Sequence, residues 1–580
     1  MSLALTGIGV TSGIAIGRVH RLTPGELSLP EYHLGVDAVD GEVERIRRAV
    51  ARGDRFLSRV LERVEDGGDT ARELLEAHRL MLHDPMLVDA ACERIRNQRI
   101  NAEWALAQQS EELQDAFRRM DNEYLALRRE DLEQAVGLIQ RELAEQPATV
   151  LSTQVPHHLD DTILIASELG PAELTILSQR HVAGVVTEHG APYSHTAILA
   201  RSLEIPMIVG VHRALDLLGE DESVVLDGHY GAVLVAPDEN LKNHYIEKQS
   251  ASRRHRDELK RYLGRRAQTA DGQPFHLYGN AELPVEFERC LEARVSGIGL
   301  MRTEYMFLDS ELPDEETQYR AYRAAVEAMG GRPVYIRTLD AGGDKLPGAL
   351  ELTRGPNPAM GLRGLRLSLS VSDLFSRQLR AILRASVHGP VRIILPMITR
   401  IDESQQARSL VADCREQLRS EGIATDPALP VGGMIETPAA ALAVDRMAAE
   451  LDFLSIGTND LIQYVLAVDR QDELVSYLYD PAHPAILELI ARIVAAGRRH
   501  GREVMVCGEL AGDDKAARLL LGLGVGHYSM PPSQVAPVKK SLIEADARRC
   551  REIVENYLGG AAVPDSRDLL AKLERKGSGR

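Results

Sequence analysis

Eight short apolar runs, each followed by a stretch of helical pattern, lie between about Ala270 and Pro537. They are Phe275-His-Leu-Tyr, Gly297-Ile-Gly-Leu-Met, Val334-Tyr-Ile, Val391-Arg-Ile-Ile-Leu, Val431-Gly-Gly-Met-Ile, Phe453-Leu-Ser-Ile, Val504-Met-Val and His527-Tyr-Ser-Met. Eight strand–helix units in about 270 residues fit a (β/α)8 barrel. A doubly wound open sheet is the alternative, and no GxGxxG fingerprint supports it.

Polar residues follow these runs, where a barrel would carry its active site. Arg302-Thr-Glu304 follows the second run, and Arg337-Thr-Leu-Asp340-Ala-Gly-Gly-Asp344-Lys345 the third. Glu436-Thr-Pro follows the fifth, Gly457-Thr-Asn459-Asp460 the sixth and Cys507-Gly-Glu509 the seventh. Arg363 and Arg366 sit in one short segment, and Arg380 and Arg384 lie one helical turn apart. Guanidinium forks grip carboxylate and phosphate bidentately, so converging arginines suit a small ligand bearing both. Glu436 and Asp460 are hard oxygen donors of the kind Mg²⁺ prefers. Each arginine taken alone reads more readily as a surface ion pair, and each carboxylate could be structural. Five strand ends decorated in this way favour a site.

The N-terminal half is built differently. Residues 36–145 carry long amphipathic helices, with Val43/Ile46/Val50 and Leu74/Leu75/His78/Leu82 at helical spacing. They could form a bundle, a coiled-coil hairpin or a docking surface. Four further strand candidates, beginning at Thr162, Val182, Pro206 and Ser223, outline a compact α/β unit. Within it, Gly190-Ala-Pro-Tyr-Ser-His195 predicts a turn, with Ser194 as N-cap of a helix from Thr196 to Leu203. His195 then stands at a helix N-terminus, whose free N–H groups and dipole favour an anion such as a phosphoryl group. A plain helix-capping turn is the bland alternative, and His189 is a rival acceptor. The predicted domains are an α/β domain of residues 1–35 and 146–240 that carries His195, with a helical subdomain (36–145) inserted. A linker helix (241–268), the barrel (269–560) and a polar tail (561–580) complete the chain.

A net charge of −18 argues against general binding to nucleic acid or anionic membrane. The five cysteines are scattered and contain no CxxC, which fits free thiols in a reducing compartment. Neither a signal peptide nor a run of 18 apolar residues is apparent, so a soluble cytoplasmic protein is expected.

Several motifs are long enough to carry a resemblance. They include Ser-His-Thr-Ala-Ile-Leu-Ala-Arg-Ser-Leu, Gly-Leu-Met-Arg-Thr-Glu-Tyr, Ile-Arg-Thr-Leu-Asp-Ala-Gly-Gly-Asp-Lys and Leu-Arg-Ala-Ile-Leu-Arg-Ala-Ser. Met-Ile-Glu-Thr-Pro-Ala-Ala, Ser-Ile-Gly-Thr-Asn-Asp-Leu-Ile-Gln-Tyr and Cys-Gly-Glu-Leu-Ala-Gly-Asp complete the set. From Gly7 to about Pro537 the chain resembles enzyme I of the bacterial sugar phosphotransferase system, the phosphoenolpyruvate–protein phosphotransferases. The resemblance implies that His195 is the phosphorylated nucleophile and Cys507 the general acid. It implies phosphoenolpyruvate binding by Arg302, Arg337, Asn459 and Arg470, with Arg363 and Lys345 lining the pocket, and Mg²⁺ on Glu436 and Asp460. It further implies that the helical insert docks the histidine phosphocarrier HPr, that the barrel forms a homodimer, and that a swivelling His195 unit carries the phosphoryl group.

The family usually writes Gly-Gly-x-Thr-Ser-His where this chain has Ala191 and Tyr193, so the loop is stiffer and lacks a short hydroxyl beside the imidazole. Pyruvate phosphate dikinase and phosphoenolpyruvate synthase share the histidine unit and barrel, but need an ATP-binding domain, and no P-loop GxxxxGK[ST] occurs here. A regulatory-branch phosphotransferase serving a non-sugar acceptor and a docking protein that keeps only the scaffold are the other readings.

Overall fold

Valine, isoleucine and leucine dominate the strands of the C-terminal half, as strands covered on both faces require. In the computed structural model these strands are β9 (His276–Ala281), β10 (Ile298–Met301), β11 (Val334–Arg337), β12 (Val391–Leu395), β13 (Val431–Ile435), β14 (Phe453–Ile456), β15 (Glu503–Val506) and β16 (His527–Met530). All are parallel, and β16 pairs with β9 to close the barrel, which rules out the open sheet. Each of the eight apolar runs overlaps one of these strands. Residues 3–11, 13–22, 30–62, 69–119, 123–144, 158–192, 194–282, 284–307, 312–342, 360–469, 475–560 and 566–574 are described.

The barrel interior is packed. Tyr278, Leu300, Tyr335, Ile394, Met434, Phe453 and Met505 form one buried cluster with Cys507. Gly432 makes room for it, because a Cβ there would lie 2.5 Å from the Phe453 ring, well inside van der Waals contact. Outside, amphipathic helices cover the strands. The helix Ser372–Ala385 buries Leu374, Phe375, Leu379, Ile382 and Leu383 and leaves its arginines half-buried. The helix Ser566–Glu574 lies in what reads as a polar tail, yet its Leu569 and Leu573 are buried in the core of this unit. Half-buried Leu570 packs beside them, and Arg518 Nη1 donates to the Leu573 carbonyl at 3.0 Å.

The chain divides into two units, Met1–His255 and Arg256–Arg580. The first contains one eight-stranded sheet built from β1 (Leu3–Thr6), β2 (Ile8–Gly9), β3 (Ile14–Leu22), β4 (Thr162–Ala166), β5 (Gly184–Thr187), β6 (Met207–Val209), β7 (Ser223–Asp227) and β8 (Ala232–Val235). Their order is β1-β8-β7-β3-β4-β5-β6-β2, and β3 to β6 run parallel to one another. Between β3 and its neighbour β4 the chain forms the helices Val39–Leu61, Asp69–Leu82, Val88–Gln98, Ala102–Arg119 and Glu123–Leu143. These share their own apolar cluster, which includes Val43, Ile46, Val50, Leu75 and Leu82. The long helix Glu239–Leu263 is fastened in the first unit by Lys248 Nζ, 2.8 Å from Oδ2 of buried Asp227. No helix among the described residues is long and apolar enough to cross a membrane.

Candidate active site

In the first unit β5 ends at Thr187 and the chain turns into the helix His195–Ser202. Ser194 is the N-cap: its Oγ accepts the Ala197 N–H at 3.1 Å, and the side chain is buried. Thr196 Oγ1 donates to the Leu169 carbonyl at 2.9 Å, tying this end of the helix to the loop after β4. Arg201 reaches back to the carbonyls of Val10 and Pro192. His195 is therefore the first helical residue of a turn fixed on three sides, beside N–H groups that no earlier turn of helix can satisfy. His189 lies outside this helix, exposed, with Nδ1 3.3 Å from Ser167 Oγ. Tyr193 lies outside the described residues.

In the second unit the C-terminal ends of the barrel strands converge. Arg337 is the last residue of β11, and its guanidinium lies 3.0 Å from Glu304 Oε1 and 2.9 Å from Asp340 Oδ2. Its Nε is buried without a hydrogen-bond partner. Arg363 places Nη2 3.1 and 3.2 Å from the two oxygens of Asp340 and 3.5 Å from Asp460 Oδ2, while Nη1 donates to the Tyr464 hydroxyl at 3.1 Å. Glu436 follows β13 and is 1% exposed. Its Oε1 accepts the Met397 N–H at 2.6 Å, and Met397 adopts a left-handed φ of 56° in doing so. Gly457 leaves the space Glu436 occupies, since a Cβ there would stand 2.6 Å from Oε2. One carboxylate oxygen each from Asp340, Glu436 and Asp460 lies within 4.8 Å of the others. Burial and the facing Asp340 and Asp460 push the Glu436 carboxyl well above the usual carboxylate range. Three hard oxygen donors clustered in this way suit a divalent cation.

Cys507 follows β15 and is buried, with Sγ 3.0 Å from Ser455 Oγ. Burial raises its thiol to about 11, against the opposing pull of the Ser455 hydrogen bond and of Arg337. Asn459 exchanges two hydrogen bonds of 3.0 Å with Glu509, one to the side chain and one from the backbone, bridging the loops after β14 and β15. Arg302, directly after β10, is exposed and close enough to Cys507 and Glu282 to act on both electrostatically.

The family described as "PEP-utilising enzyme, PEP-binding domain" matches residues 256–547, half of the chain. Its companions, the PEP-utilising enzyme N-terminal and mobile domains, match residues 6–128 and 159–231. A phosphoenolpyruvate-protein phosphotransferase of Cupriavidus necator is 41% identical across 99% of this chain and 100% of its own length. The chain belongs to the phosphoenolpyruvate-protein phosphotransferase family. Proteins of the same name from Bacillus sp. (strain S) and Bacillus subtilis are 38% and 35% identical, over 94% and 96% of this chain and 95% and 96% of their own. It is thus an enzyme of phosphoenolpyruvate-dependent phosphoryl transfer.

For a phosphoenolpyruvate-protein phosphotransferase the strand-end motifs fall as follows. Arg302, Arg337, Glu436, Asn459, Asp460 and Cys507 stand at the ends of five barrel strands, and Arg363 joins them through Asp340 and Asp460. Lys345 and Arg470 lie outside the described residues. Arg380 and Arg384 do not converge on the site. They lie on the helix Ser372–Ala385 and pair with Glu315, Glu316 and Glu421, because neighbouring surface carboxylates satisfy them there. Arg366 is half-buried and donates to the Gly361 carbonyl at 3.1 Å. Asp340 and Tyr464 carry no role in the sequence reading. Asp340 stands three residues after Arg337 at a strand end, and that spacing was the available signal.

Proposed function

We propose that this enzyme transfers the phosphoryl group of phosphoenolpyruvate to its own His195 and then to the histidine of HPr, releasing pyruvate. The observation that carries the reading is the convergence of Arg337, Arg363, Asp340, Glu436 and Asp460 beside buried Cys507 at one end of the barrel. Phosphoryl transfer needs charge stabilised and partners in line more than it needs covalent help. Arg302 and Arg337 hold the phosphate and carboxylate of the substrate, assisted by Asn459 and Arg470, with Arg363 and Lys345 lining the pocket. Glu436 and Asp460 hold Mg²⁺, which when bound neutralises developing charge on the phosphoryl oxygens.

The neutral His195 imidazole attacks phosphorus, and the bond from phosphorus to the enol oxygen breaks. The enolate left behind takes the Cys507 thiol proton at its methylene carbon and becomes pyruvate. Solvent returns the proton to the thiolate. A thiol suits this step because ionised carboxylates have no proton to give near neutral pH. The phosphohistidine is then an anion at a helix N-terminus until the acceptor histidine takes the group. The helices of residues 36–145 supply the docking surface for HPr. Cytoplasmic location and a homodimer formed through the barrel belong to the same reading.

The test is incubation with labelled phosphoenolpyruvate and Mg²⁺ in the absence of ATP, followed by addition of HPr and of regulatory HPr-like carriers. Label on the enzyme that chases onto HPr is expected. Label that forms only with ATP, or that chases only onto a regulatory carrier, would contradict the reading.

A further inference from the structure

Arg363 sits on two of the three carboxylates that could hold a divalent cation. Its Nη2 lies 3.1 and 3.2 Å from both oxygens of Asp340 and 3.5 Å from Asp460 Oδ2. These two residues, with Glu436, are the same three whose oxygens lie within 4.8 Å of one another. Mg²⁺ draws its oxygens to about 2.0–2.1 Å and requires near-octahedral directions. A guanidinium on the same carboxylates blocks some of those directions and opposes the ion by like charge. The side chains of Asp340, Arg363 and Asp460 are 3%, 14% and 24% exposed, so bulk water screens this repulsion only in part.

We propose that Arg363 and the divalent cation are alternative occupants of the Asp340–Asp460 pair, so that metal binding requires the guanidinium to leave. This rests on the reading of Glu436 and Asp460 as metal ligands and adds Asp340 and Arg363 to the metal's binding equilibrium. The released guanidinium keeps one anchor, the Tyr464 hydroxyl at 3.1 Å. Its other hydrogen-bond donors become available to an anion that arrives with the metal. Carboxylate and phosphate are the natural takers, because a planar fork matches both. The metal therefore binds weakly to the free enzyme and tightly together with the anionic substrate. Reciprocity makes the same exchange raise substrate affinity when metal is present. Arg363 thereby keeps the three carboxylates from holding a divalent ion when no substrate is there to use it.

The test uses Mn²⁺ as a spectroscopic probe of the full-length enzyme without phosphoenolpyruvate, reading free Mn²⁺ by electron paramagnetic resonance. Arg363→Met should bind Mn²⁺ at least tenfold more tightly than wild type, and Arg363→Lys, which keeps the charge, should stay within about threefold of wild type. Arg363→Gln, neutral and still a hydrogen-bond donor, repeats the test should the methionine variant not fold. Unchanged or weaker Mn²⁺ binding in the neutral variants would overturn the competition. Glu436→Gln and Asp460→Asn separate the two layers of the argument. If they bind Mn²⁺ like wild type, the metal-site reading fails. If they lose Mn²⁺ while Arg363→Met gains nothing, only the competition fails.

Discussion

Cys507 keeps its proton because the barrel interior desolvates it more strongly than Arg337 and the Ser455 hydroxyl can stabilise a thiolate. A thiol held at about 11 donates a proton slowly to water but readily to a carbanion, which is what an enolate presents. Cys507→Ala should therefore slow phosphoenolpyruvate turnover by about 10²–10⁴-fold, the usual worth of a general acid. Phosphate exchange between His195 and HPr should continue at the wild-type rate, since no enolate forms in it. Equal loss of both reactions in a folded variant would return Cys507 to a packing role. Glu436→Ala and Asp460→Ala should each abolish autophosphorylation together with its dependence on Mg²⁺. Near-normal rates in excess chelator would refute that assignment.

The barrel strands were legible as short apolar runs because strands buried on both faces cannot alternate polar and apolar residues. The helix at His195 was legible from Ser194, whose cap hydrogen bond fixes the start one residue earlier than expected. What the sequence does not disclose is lateral: which charged side chains face one another across strands. Arg380 and Arg384, candidates for a ligand-gripping set, face Glu315 and Glu421 instead, and Asp340, quoted among the polar residues after the third run but given no role, stands between Arg337 and Arg363. The same is true at the N-terminal end of the barrel. There His527 stacks on His276 at 4.8 Å, lies 3.6 Å from Glu503 and is joined by Arg392 and the Tyr278 hydroxyl. Burial first, and then His276 and Arg392, depress the His527 imidazole below the usual histidine range against the opposing effect of Glu503. The unfolded chain thus binds this proton more readily than the folded one. Stability is full above the usual histidine value and falls as pH drops through it toward the lower folded value. Calorimetry of the barrel transition between about pH 8 and 5 should show this loss as a falling Tm, and His527→Gln should flatten the profile. A wild-type profile that the substitution leaves unchanged would place the acid sensitivity elsewhere.

At the scale of the molecule, the residues of the proposed chemistry are divided between two units with separate cores: His195 belongs to one, and the arginines, carboxylates and Cys507 to the other. A fragment of residues 1–266 should fold alone and exchange phosphate with phosphorylated HPr, yet remain inert toward phosphoenolpyruvate. An insoluble or exchange-dead fragment would show that the halves depend on each other to fold. The central claim, that substrate held by the barrel phosphorylates His195, is tested most directly by locating the phosphoryl group. Full-length wild type, His195→Ala and His189→Ala would each be incubated with labelled phosphoenolpyruvate and Mg²⁺, then mapped by mass spectrometry under alkaline conditions that preserve phosphohistidine. Acid-labile label on His195 in wild type and His189→Ala, and none in His195→Ala, is the expected result; label retained in His195→Ala and lost in His189→Ala would contradict it.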